Sequence, residues 1–409
     1  MIYLDNSATT KQYRQVTELM TEHMDTVFGN PSSLYQLGVD SEKSVRHARR
    51  QLEQALAMGD GRAYFTSGGT EADNMAVFGA AKALKRRGRR VITSAVEHPA
   101  VLECFKALEA DGFDVVYIGV DKKCRLDMEQ LEAAVNSDTI LVSVMHVNNE
   151  TGTIMPIQEI SSILKKNAPE ALLHCDAVQS FGKLPMPVCA DLLSVSGHKI
   201  HGPKGVGFLY IRDKVKIKPI IYGGGQQKDM RSGTENVPGI AGLGVAAKEM
   251  YTNHTEKIAQ IQAVKDAFLA GVKKLDGVID NSGEAPHIAS VSFEGIERGE
   301  VLLHALEAKG VYCSSGSACS SNHPAISGTL QAIGMAPELL NSTLRFSFSV
   351  YSTVEEAEYA VQVIAEELVP TAPQPEQLDL FDGKLLDPKA RLRHKLIGQL
   401  FDTYWMVEY

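Results

Sequence analysis

Between about residues 40 and 212 the chain alternates short apolar runs with longer segments whose apolar positions recur at helical spacing. Strand-length runs separated by helices predict helices covering a mostly parallel sheet, an α/β fold. The expected strands are 63–66, 90–94, 115–119, 140–145, 172–176, 192–196 and 206–211, with helices such as 71–87 between them. Each run is almost continuously apolar, as expected of strands buried on both faces. After a Gly-rich segment at 222–227, one long helical pattern over about 240–275 carries the chain out of this first domain. A smaller α+β unit follows, with strands at 287–293, 310–313 and 344–349 and helices at 299–308 and 354–367.

The segment 369–375 holds three prolines in seven residues and marks a linker. In the tail beyond it, Leu392, Leu396, Ile397, Leu400 and Phe401 fall at roughly helical spacing within 388–404. An amphipathic helix there serves either a partner protein or packing within the protein's own assembly.

With 409 residues, 44% hydrophobic and 22% charged, the chain can bury the cores of two or three domains and is not disordered. A formal net charge of -9 argues against nucleic acid as a direct ligand. The basic run at 85–90 falls where a helix ends, and cations favour that end of the dipole. The opening Met1-Ile2-Tyr3-Leu4-Asp5 lacks the basic start and apolar stretch of a secretory signal, and no apolar run is long enough to span a bilayer. Six cysteines without a Cys-x-x-Cys pair suggest neither a disulfide framework nor a zinc site. The expectation is a cytoplasmic protein with reduced thiols, no structural metal and no membrane attachment.

Several polar residues interrupt the apolar runs where chemistry is expected. Ser196-Gly197-His198-Lys199 holds a lysine at a rigid strand end, and a lysine amine forms Schiff bases with carbonyl compounds. By itself such a lysine is most often a solvated loop residue. Asp176 closes the strand Leu172-Leu173-His174-Cys175-Asp176, where a carboxylate either caps the next turn or pairs with a cationic ring nitrogen. Thr66-Ser67-Gly68-Gly69-Thr70-Glu71 joins a strand to a helix, a place for a helix cap or a bound phosphate. His98 precedes Pro99 at another strand end, as a turn residue or a proton carrier. Cys319, in Ser314-Ser315-Gly316-Ser317-Ala318-Cys319-Ser320-Ser321, has no apolar neighbours to pack with, unlike Cys104, Cys124, Cys175 and Cys189, and suits an accessible nucleophile. Arg345 sits inside an apolar strand and needs an anion, either a substrate carboxylate or an internal salt bridge.

Taken in order, these pieces resemble the cysteine desulfurases of the NifS/IscS type, class V aminotransferases with the fold-type I pyridoxal phosphate architecture. The resemblance runs from Tyr3 to about Glu367 and includes Tyr3-Leu4-Asp5-Asn6-Ser7-Ala8-Thr9-Thr10, Gly29-Asn30-Pro31-Ser32-Ser33, Val147-Asn148-Asn149-Glu150-Thr151-Gly152, Arg231-Ser232-Gly233-Thr234 and Gly316-Ser317-Ala318-Cys319. Tyr35, and the stretch 348–350, depart from the family pattern without touching a catalytic position. The resemblance implies a large cofactor-binding domain over 11–256 with a seven-stranded, mostly parallel sheet. It implies a small domain from 1–10 and 257–368 carrying the Cys319 loop, and 369–409 has no recognised counterpart.

By the same resemblance, Lys199 is the Schiff-base lysine of pyridoxal 5'-phosphate, Asp176 pairs with its ring nitrogen, Gln179 bonds its ring hydroxyl and His98 stacks on the ring. Gly69, Thr70, Ser196 and His198 hold the phosphate, with Thr234 reaching in from the second subunit of a homodimer. Asn149 binds both the cofactor and the substrate carboxylate, Arg345 binds that carboxylate, and Cys319 takes the sulfur of L-cysteine. The implied reaction yields L-alanine and a persulfide for an acceptor protein, an iron–sulfur scaffold or a thiolation carrier. The rival readings are a selenocysteine lyase or another class V lyase, and a non-catalytic scaffold that binds pyridoxal phosphate.

Overall fold

A computed structural model of the chain describes residues 1–315 and 327–368. They form two compact units. The larger comprises Thr9–Asn149 and Thr153–Glu256, and the smaller comprises Met1–Ala8, Glu150–Gly152 and the described residues from Lys257 onward.

The larger unit is built on a seven-stranded sheet. Its spatial order is Gly61–Thr66, Gly207–Arg212, Leu192–Ser196, Leu172–Asp176, Thr139–Ser143, Arg90–Ser94 and Asp114–Ile118. Every neighbouring pair is parallel except the two made by Gly207–Arg212, which is antiparallel to both its neighbours. The carboxyl ends of Gly61–Thr66, Leu192–Ser196, Leu172–Asp176, Thr139–Ser143 and Arg90–Ser94 therefore lie along one edge, where open α/β sheets place their ligands.

The strands 139–143 and 192–196 are buried along their whole length, as the unbroken apolar runs require. The run expected at 140–145 stops at Ser143, because the Met145 N–H is taken by the Glu97 carboxyl, at 3.0 and 2.9 Å from its two oxygens, and leaves the ladder.

Small residues set how closely the helices approach. Gly69–Leu84 presents Ala72, Met75, Ala76 and Ala80 to a core that includes Leu141, Leu192 and Leu209. The helix Val237–Tyr251 packs on Arg14–Asp25 and Gln36–Leu56, and a Cβ at Gly244 would lie 2.7 Å from the Ala48 Cα. The single helix expected over 240–275 is two, Val237–Tyr251 and His254–Val272. Between them Asn253 turns into the left-handed region at φ 51°, where asparagine is tolerated better than most side chains.

In the smaller unit an antiparallel four-stranded sheet runs Ser314–Ser315, Thr343–Ser347, Ile288–Phe293, Val278–Asp280. The last of these, half-buried throughout, has too little apolar pattern to be seen in the sequence. Ile2–Tyr3 pairs in parallel with Val311–Tyr312. The helices Gly299–Ala308 and Val354–Leu368 form where their patterns predict. The expected tail helix and Cys319 lie outside the described residues.

Candidate functional site

Lys199 ends a single turn of 3-10 helix, Gly197–Lys199, that follows directly on Leu192–Ser196. The turn is fixed from several sides. Gly197 N–H donates to the Val206 carbonyl at 3.0 Å, and Gly202 N–H donates back to the Gly197 carbonyl at 3.0 Å. The His198 carbonyl accepts from Thr10 N–H at 2.9 Å and Oγ1 at 2.8 Å, and the His198 ring bonds the Thr9 hydroxyl through Nδ1 at 3.1 Å. Burial, then the charges of Lys199, Lys204 and Lys183, push His198 down to about 4, so its imidazole is neutral at neutral pH.

On the adjacent parallel strand Asp176 is buried, and its Oδ1 accepts the Val178 N–H at 2.8 Å. Burial raises its carboxyl to about 6, against the pull of that N–H and of the Lys199 charge. Gln179, also buried, lies in the turn that follows. Asn149, half-buried, follows Thr139–Ser143.

His98 caps the helix Pro99–Ala110: its Nδ1 accepts the Ala100 N–H at 3.1 Å. That bond places the neutral ring's proton on Nε2. Burial and then the Lys199 charge lower His98 to about 4. His98, Asp176 and His198 are thus all close enough to Lys199 to feel its charge, and the structure brings these four sequence candidates together.

At the end of Gly61–Thr66 the chain turns at Gly68 into the helix Gly69–Leu84, which has no side-chain cap. The first amides of a helix have no intrahelical acceptor, so this end presents donors to an anion. Ser196 lies beside it. A Cβ at Gly69 would fall 3.6 Å from the Ser196 Cβ and 2.8 Å from Val178 Cγ2. A Cβ at Gly207, on the strand next to Ser196, would strike Gly68 Cα at 2.9 Å. Glycine at 69 and 207 is what lets the turn lie against the strand end. Thr70 is exposed at the helix start, and Thr234, also exposed, lines a small cavity with Thr66, Ser67 and Arg231.

Comparison with known proteins decides the family. The Aminotransferase class-V family model matches residues 2–359. The cysteine desulfurase IscS of Methanosarcina thermophila is 43% identical over 371 residues, covering 89% of this chain and 91% of the relative. The cysteine desulfurase IscS of Dictyoglomus turgidum is 42% identical over 370 residues, covering 89% and 93%. Among solved structures, a NifS-like protein superposes with a TM-score of 0.83 at 36% identity, covering 90% of this chain and 99% of that one. SspA in complex with cysteine gives a TM-score of 0.75 at 30% identity, covering 86% and 100%. The chain belongs to the NifS/IscS cysteine desulfurases, within the class V aminotransferases.

In the smaller unit of this desulfurase Arg345 is buried on Thr343–Ser347 and has an internal partner, Asp5, whose Oδ1 accepts from Nη2 at 3.0 Å. Near it, the Glu150 carboxyl accepts from the Ser327 hydroxyl at 2.5 Å.

Three groups went unnoticed in the sequence. The buried Lys183 ammonium donates to the Gln179 carbonyl at 3.3 Å and the Lys199 carbonyl at 3.1 Å, tying together the two turns that carry the candidates. Asp73 and Glu97 are buried acids near Asp176, and burial raises both carboxyls, Glu97 to about 8. Only the break in an apolar stretch signals them, and a single sequence gives no means of pairing such breaks.

Of the cysteines outside the 316–326 segment, burial pushes the Cys104 thiol up to about 12 and raises Cys175 and Cys313 as well, which keeps them protonated. Among the described residues no group of His, Cys, Asp or Glu is arranged to hold a metal, and no helix is long and apolar enough to cross a membrane.

Proposed function

We propose that this desulfurase uses pyridoxal 5'-phosphate to convert L-cysteine to L-alanine and carries the sulfur away as a persulfide on Cys319. The observation that carries the reading is the grouping of Lys199, Asp176, His98 and the Ser196–Gly69 junction on one edge of the sheet. The residues fit the cofactor. Asp176, a buried carboxyl whose ionisation is opposed by burial, is the partner a cationic ring nitrogen requires. The uncapped helix start at Gly69 and Thr70, with Ser196 and His198, suits the phosphate. Gln179 is assigned to the ring hydroxyl, His98 to the ring face, and Thr234 to the phosphate of a second subunit. When bound, the cofactor supplies an electron sink for charge developing on the substrate carbons.

The chain's own residues supply the rest. Arg345 and Asn149 are assigned to the substrate carboxylate, which orients the amino acid. Lys199 would hold the cofactor through Nζ, and its amine takes and returns the proton at the substrate α-carbon. His98 resists protonation and carries its proton on Nε2, so it acts there as a hydrogen-bond donor. The Cys319 thiolate attacks the substrate sulfur: the S–S bond forms, the Cβ–S bond breaks, and its electron pair stays on Cβ, which is protonated to the methyl of alanine. The balance is L-cysteine plus Cys319 thiol giving L-alanine plus Cys319 persulfide. The raised thiols of Cys104, Cys175 and Cys313 support Cys319 as the nucleophile.

The proposed assembly is a cytoplasmic homodimer, with an iron–sulfur scaffold or a thiolation carrier as sulfur acceptor. Exposed apolar side chains at Phe28, Leu34, Tyr35 and Tyr222 support a subunit contact in the larger unit. The test is alanine formation from L-cysteine with dithiothreitol, in wild type and Cys319→Ala, with visible spectra of both. Alanine from wild type alone, with equal cofactor absorbance in both, is expected. Equal alanine from Cys319→Ala would replace the persulfide route with a lyase, and wild type without a cofactor band would overturn the cofactor assignment.

A further inference from the structure

Arg345 is fixed in the smaller unit through its backbone. Its residue pairs with Ser290 on one side and Ser314 on the other, so its Cα is held in the middle of the sheet. The side chain beyond is long, and a bond that orients it removes rotamer freedom. Two carboxyls lie near it. Asp5 takes Nη2 at 3.0 Å. Glu150 is buried and close enough for the Arg345 charge to act on it, although its carboxyl already accepts the Ser327 hydroxyl.

Asp5 is itself held in place through its backbone. It bridges to Ser347, two residues from Arg345 on the same strand, and Tyr3 Oη donates to the Asp5 carbonyl at 3.1 Å. The next two residues continue the seam: Asn6 Nδ2 donates to the Ser347 carbonyl at 2.9 Å, and Ser7 N–H donates to the Ser347 hydroxyl at 2.8 Å. The first residues of the chain thus deliver one carboxylate to one edge of one guanidinium.

We propose that Asp5 is a positioning residue for substrate binding: through its bond to Nη2 it fixes the Arg345 guanidinium plane in the orientation that meets the substrate carboxylate. This rests on the assignment of Arg345 to that carboxylate. Asp5 does not touch the reacting atoms, and its removal acts on capture of L-cysteine rather than on later steps.

The test is steady-state kinetics with L-cysteine at full cofactor occupancy for wild type, Asp5→Ala, Asp5→Asn, Arg345→Ala and the double variant Asp5→Ala/Arg345→Ala. Asp5→Ala is expected to raise KM about tenfold, equivalent to about 1.4 kcal/mol, with kcat within about threefold, the loss of one charge-assisted hydrogen bond. Asp5→Asn keeps an acceptor at the same atom and is expected to recover KM to within about threefold. In the Arg345→Ala background, Asp5→Ala is expected to add nothing. A KM unchanged or lowered in Asp5→Ala, while Arg345→Ala raises it, overturns the proposal and makes Asp5 a spectator or a competitor of substrate. An equal rise with and without Arg345 makes Asp5 merely structural and also overturns it. An Arg345→Ala enzyme with normal KM overturns instead the assignment of Arg345 on which the proposal stands.

Discussion

Replacing Glu97 by Gln removes an ionisable group without changing a shape. The wild-type carboxyl is buried, accepts the Ser94 hydroxyl at 2.5 Å, and accepts the Met145 N–H with both oxygens. A glutamine at that position still accepts from Met145 through Oε1 and donates to Ser94 through Nε2. What disappears is the titration. Burial first, and the nearby Asp176 charge after it, raise the Glu97 pKa from 4.5 to about 8 in the folded protein. A carboxyl raised on folding gives stability that is fully present below its unfolded pKa of about 4.5 and is lost as pH rises through about 8. The difference of about 3.5 pKa units corresponds to about 5 kcal/mol across the whole window, and to about 3 kcal/mol between pH 5 and pH 7. Urea unfolding of both proteins at matched cofactor content, from pH 5 to pH 8, measures it. Glu97→Gln should gain stability relative to wild type steadily over that range. Parallel pH profiles for the two proteins would refute the reasoning, since they would mean that Glu97 ionises in the folded state as readily as in the unfolded one.

Asp176→Asn should stabilise the cofactor-free protein at pH 8, because burial raises that carboxyl to about 6, and should also release the cofactor faster on dialysis; lower thermal stability of the cofactor-free variant would contradict it. His98, pushed down to about 4 by burial and the Lys199 charge, should show no ring titration by NMR between pH 5 and pH 8, and a midpoint near the ordinary histidine value would count against its capped, neutral state. Gly244→Ala should cost about 1–3 kcal/mol in urea unfolding, because its Cβ would meet the Ala48 backbone at 2.7 Å where Val237–Tyr251 crosses Gln36–Leu56; a stabilised variant would show that these helices separate freely.

The sheet was legible because its strands are buried on both faces and so are written as unbroken apolar runs. Lys199, Asp176 and His98 stood out because each is a polar residue where such a run ends, and parallel strands bring those ends to one edge. The interaction of Arg345 with Asp5 was not legible: the two residues are 340 positions apart, and no local pattern encodes such a pairing. Sequence reasoning left Arg345 between a substrate carboxylate and an internal salt bridge, and the structure gives it an internal partner in Asp5. Lys183 and Glu97 escaped notice for a related reason, since Lys183 bonds backbone carbonyls that every residue carries and Glu97 bonds the distant Met145 N–H besides the Ser94 hydroxyl. The break at Asn253 was hidden because the apolar spacing carries on across it.

The central claim is that sulfur leaves L-cysteine as a persulfide on one thiol. The direct measurement is a single turnover without reductant, one equivalent of L-cysteine per cofactor-loaded subunit, with alanine quantified and every cysteine-containing peptide weighed. The account predicts alanine in equal amount to one added sulfur atom, carried by the peptide that contains Cys319. Alanine accompanied by released sulfide and no mass gain at Cys319, or a gain at Cys189 or Cys313 instead, would contradict it.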